Sequence, residues 1–115
     1  MQTRLSEREG VRLLREEFEK DGIAIREGVP FEVAGTILFL DGYDPERRVG
    51  FEFVTAEAGD RKAFGEGVVA ALERKMEDGE AFLLLVDEWD VTDAADLALA
   101  ARRFLDELRR REVLK

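Results

Sequence analysis

Ala81-Phe82-Leu83-Leu84-Leu85-Val86 is a run of six apolar residues with no polar alternation. A strand of that kind is buried on both faces, because a solvent-facing side would carry polar residues at every second position. Something must cover it above and below, and the segments on either side have the pattern to do so. Upstream, Phe64, Val68, Leu72 and Met76 recur every four residues, which predicts a helix over about Asp60 to Asp78, closed by Gly79. Gly65 and Gly67 weaken its first turns. Downstream, Ala94, Leu97, Ala98, Ala101, Phe104, Leu105 and Leu108 form the clearest helical period in the chain, with Thr92 or Asp93 as the cap. The apolar run is accordingly expected at the centre of a sheet covered by helices.

The first eighty residues supply the rest of that sheet. Ser6 followed three residues later by Glu9 is a capping box, so a helix should run to about Lys20 with Val11, Leu14 and Phe18 on one face and Gly22 at its stop. Ile23 and Ile25 suggest a short strand. Val29 to Val33 and Thr36 to Leu40 read as strand broken at Gly35, and Val49 to Thr55 reads as a returning strand after a turn over Asp41 to Arg48. The expected order is α-β-β-β-α-β-α. The fold class is α/β (α+β), with a single mixed sheet of four to five strands flanked by three helices, in one compact domain over 1–115.

Composition removes whole classes of chemistry. The chain has no Cys and no His, which rules out disulfides, thiolate zinc sites, cysteine nucleophiles and imidazole catalysis. Its only serine is the capping Ser6. Carboxylates, Lys, Arg, Tyr43 and a few Thr are what remain. The net charge is −9, and residues 101–115 alone are net positive. That balance opposes binding to a phosphate backbone, which depends on Lys and Arg releasing counterions. Arg109 and Arg110 suit the negative end of the last helix dipole and are also candidates for contact with a partner. Trp89, just ahead of that helix, is a candidate partner anchor. No apolar run approaches a membrane span, and the charged start, Met1 to Glu9, has no signal-peptide pattern, so the expected location is the cytoplasm.

One segment concentrates acids around a turn. Asp41 and Asp44 flank Gly42 and Pro45, and Glu52 returns on the strand that follows. With the turn centred on Pro45 and Glu46, Asp41 lies opposite Gly50, and Asp41 and Glu52 become diagonal neighbours on one face. Asp41, Asp44 and Glu52 are therefore candidate ligands for Mg²⁺ or Mn²⁺, although turn chemistry explains Asp, Gly and Pro equally well. The twelve-residue span from Asp41 to Glu52 does not read as a helix-flanked calcium loop. Tyr43 and Pro45 occupy ligand positions, and strands flank it.

Leu40-Asp41 and Phe51-Glu52-Phe53-Val54 resemble the motifs of the PD-(D/E)XK nuclease superfamily, which has the restriction-endonuclease-like fold. That fold runs helix, three-strand meander, helix, fourth strand, with an Asp on the second strand and Glu-x-Lys on the third. The resemblance covers about residues 6–90. It implies that Asp41 and Glu52 hold Mg²⁺ for phosphodiester cleavage. Val54 stands at the position of the lysine that helps activate water, and Lys62 is the nearby residue that could replace it. The poverty of catalytic side chains favours an interaction or regulatory module, one that acts through a protein partner or self-association and needs no cofactor. Metal-dependent cleavage is the alternative.

Overall fold

The computed structural model describes residues 5–56 and 63–114. Its elements are α1 (Glu7–Lys20), β1 (Val29–Val33), β2 (Thr36–Leu40), β3 (Gly42–Asp44), β4 (Val49–Val54), α2 (Glu66–Glu77), β5 (Phe82–Asp87) and α3 (Ala94–Arg110). A short 3-10 turn over Glu88–Asp90 lies between β5 and α3. Among the described residues the fold is α+β, with three helices and five strands in the order α-β-β-β-β-α-β-α.

Helix boundaries follow local chemistry. Both halves of the α1 capping box are formed, with the Glu9 N–H donating to Ser6 Oγ at 3.1 Å and the Ser6 N–H to Glu9 Oε1 at 3.2 Å. Gly22 follows in the left-handed region at φ 82°. In α3, Asp93 is the cap and accepts the Asp96 N–H at 2.9 Å. The expected start of α2 at Asp60 falls outside the described residues. The described helix begins at Glu66 with Gly65 as its cap, consistent with the weakness of glycine inside a first turn.

The single expected sheet is instead two. β1 and β2 pair as an antiparallel hairpin through Ala34-Gly35, whose φ values of 51° and 75° fit a tight two-residue turn. β3, β4 and β5 make a separate sheet in that order, with β3–β4 antiparallel and β4–β5 parallel. The extra strand, β3, lies inside the segment expected to be turn. It exists because Asp41 bends the chain out of the hairpin and into a second ladder. Arg26 adds one isolated bridge to Tyr43, which is all that forms of the strand expected at Ile23 and Ile25.

A second correction concerns which strand is central. β5 lies at an edge, and β4 holds the middle with all six residues buried. Val49, Phe51 and Phe53 of β4 pack with Leu14 and Phe18 of α1 and Leu97, Ala101 and Leu105 of α3. On the other side, Leu40, Tyr43, Leu72 and Leu83 form a second cluster beneath the hairpin and α2. Two glycines permit this packing by their lack of a side chain. A Cβ on Gly10 would lie 2.2 Å from the Phe53 ring, and one on Gly50 would lie 2.3 Å from the Gly42 carbonyl oxygen. α1 and α3 are further joined where Asp21, nearly buried, takes Arg102 at 3.1 Å and Arg109 at 2.6 Å.

Candidate functional site

The β3–β4 turn spans Pro45 to Arg48, so Tyr43 lies opposite Gly50 and Asp44 opposite Val49. The turn is centred one residue later than expected, which moves the pairing by two. An even shift leaves every side chain on its face. Asp41 and Glu52 therefore come closer than diagonal neighbours, at the point where the β3–β4 ladder stops.

There the side chains take over from the backbone. The Asp41 N–H donates to Glu52 Oε1 at 2.8 Å, and the Phe53 N–H donates to Asp41 Oδ2 at 2.9 Å. These are main-chain donors that the bend removes from the carbonyls of a neighbouring strand, and buried N–H groups must find some acceptor. Glu52 is 1% exposed and lies on the same face of β4 as Gly50 and Val54, the face covered by the hairpin and α2. The reciprocal pair is a clamp. It fixes the angle at which β2 leaves the three-stranded sheet.

Asp44 serves a different purpose. Its Oδ1 accepts the N–H groups of Glu46 and Arg47 at 3.0 and 3.1 Å, while its Oδ2 accepts the Ala24 N–H at 3.0 Å and the Arg47 guanidinium at 2.9 Å. The first two bonds build the turn, and the third ties the segment after α1 to it. Burial pushes the Asp44 carboxyl up, but the Arg47 N–H and guanidinium, with the Ala24 and Glu46 N–H groups, hold it below the ordinary carboxylate range. Its neighbour Tyr43 is held above the usual phenol value, chiefly by burial.

The structure thus brings together two of the three proposed metal ligands, Asp41 and Glu52, and commits Asp44 to the turn. Among the described residues no three acidic side chains converge as a metal site. Mg²⁺ takes six oxygens, so two carboxylates would leave most positions to water. An ion at this pair would have to share both carboxylates with the N–H groups they already serve. Val54, at the position of the superfamily's lysine, is a buried core residue. Lys62 lies outside the described residues.

The other nominated residues are dispersed. Arg109 reaches Asp21, and Arg110 pairs with Glu107 one helical turn back. Trp89 is 60% exposed in the 3-10 turn, where its N–H donates to Asp87 Oδ1 at 2.8 Å. Glu88 accepts the Ala56 N–H at 2.7 Å, which joins the C-terminal ends of β4 and β5. A groove of about 430 Å³ opens between the β1–β2 turn and the end of α2, with Glu32, Arg74, Lys75, Asp78 and Glu80 in its walls; Asp41 and Glu52 do not line it. No described helix is long and apolar enough to cross a membrane.

Sequence reasoning missed the backbone donors that use these acids, above all Ala24, twenty residues from Asp44. No local pattern signals such a contact. No known protein family matches the chain, and neither the curated proteins nor the solved structures contain a match to it.

Proposed function

We propose that the chain is a small cytoplasmic binding module that works through protein contact, including self-association, and performs no reaction of its own. The observation that carries this reading is the pair of apolar side chains exposed on the hairpin, Phe39 at 67% and Ile37 at 58%, with Trp89 a further 60% exposed apolar residue in the 3-10 turn. Ile37 and Phe39 share the outer face of the hairpin, where Pro30 stands directly opposite Phe39. Isolated apolar residues are ordinary on protein surfaces, whereas adjacent ones on a two-stranded hairpin mark a contact surface. The use of Asp41, Glu52 and Asp44 as acceptors for backbone donors supports the same reading. Light scattering across the micromolar range should show mass rising above that of the monomer. A constant monomer mass to high micromolar concentration would remove self-association.

The juxtaposition of Asp41 and Glu52 favours a second reading, Mg²⁺- or Mn²⁺-dependent phosphodiester cleavage, with these two residues holding the ion and Lys62 assisting the attacking water. It predicts that calorimetric titration detects Mn²⁺ binding, lost in Glu52→Ala. A wild-type titration with no heat of binding at millimolar Mn²⁺ ends that reading.

A further inference from the structure

We draw no further inference here: the strongest candidate, the outer face of the β1–β2 hairpin where Ile37 and Phe39 lie exposed and Pro30 stands opposite Phe39, already carries the contact reading given above, and nothing in the structure shows what covers it.

Discussion

Asp44→Ala should destabilise the fold by about 2–4 kcal/mol, measured by urea denaturation at neutral pH. The carboxylate is 2% exposed and receives four hydrogen bonds, three of them from backbone N–H groups. Alanine leaves Ala24, Glu46 and Arg47 without this acceptor. The turn groups can recover water, but Ala24 joins two segments in the interior, and its loss should release the connection between α1 and β3. Asp44→Asn retains one acceptor oxygen and should fall between wild type and Asp44→Ala.

The same residue gives a pH dependence of definite sign. Hydrogen bonding lowers the folded-state value below that of the unfolded chain, so the folded state holds fewer protons across the interval between them. The contribution of Asp44 is fully present above the unfolded value near ~3.9 and is lost as pH falls through the lower folded value. The stability difference between wild type and Asp44→Asn should therefore shrink below about pH 4. A difference that grows with acid would contradict the assignment.

Glu52→Ala should cost about 3 kcal/mol, from the lost acceptor of the Asp41 N–H together with the space left on a fully buried face. Asp41→Ala acts on the other half of the clamp, the Phe53 N–H, and should cost about 2 kcal/mol. Because either change already frees the bend between β2 and β3, the double variant should lose less than the sum of the two. Thermal unfolding of the three variants checks both the sizes and the shortfall.

How far the sequence could be read depended on what each pattern reports. Capping boxes and apolar stripes are local, and α1 and the buried stripe of α3 formed as Ser6, Glu9, Leu97, Ala101, Leu105 and Leu108 predict. The Ala81–Val86 run reported covered faces correctly, since the clusters under α2 and α3 take its alternate residues. It carried no information about edges, so the inference that β5 is central failed. A strand flanked by two helical layers reads the same at the middle of a sheet or at its end.

The acidic segment failed in a different way. Phe51-Glu52-Phe53 alternates like a half-exposed strand, yet Glu52 is buried, because the hairpin folds over that face and brings the Asp41 N–H to it. That donor becomes stranded only once the chain has bent, so nothing near Glu52 in sequence announces it. The same bend split the expected single sheet into two. The proximity of Asp41 and Glu52 was legible, although the register was off by two, because an even shift preserves faces.

Asp41 and Glu52 either hold the fold or are held by it. Acids gathered for chemistry repel one another, and removing one commonly raises stability. Urea denaturation of wild type, Glu52→Gln and Glu52→Ala at neutral pH distinguishes the cases by sign. The clamp predicts the order wild type, then Gln, which still accepts the Asp41 N–H, then Ala well below both. Variants more stable than wild type would contradict the clamp and return Asp41 and Glu52 to the role of a strained, functional pair.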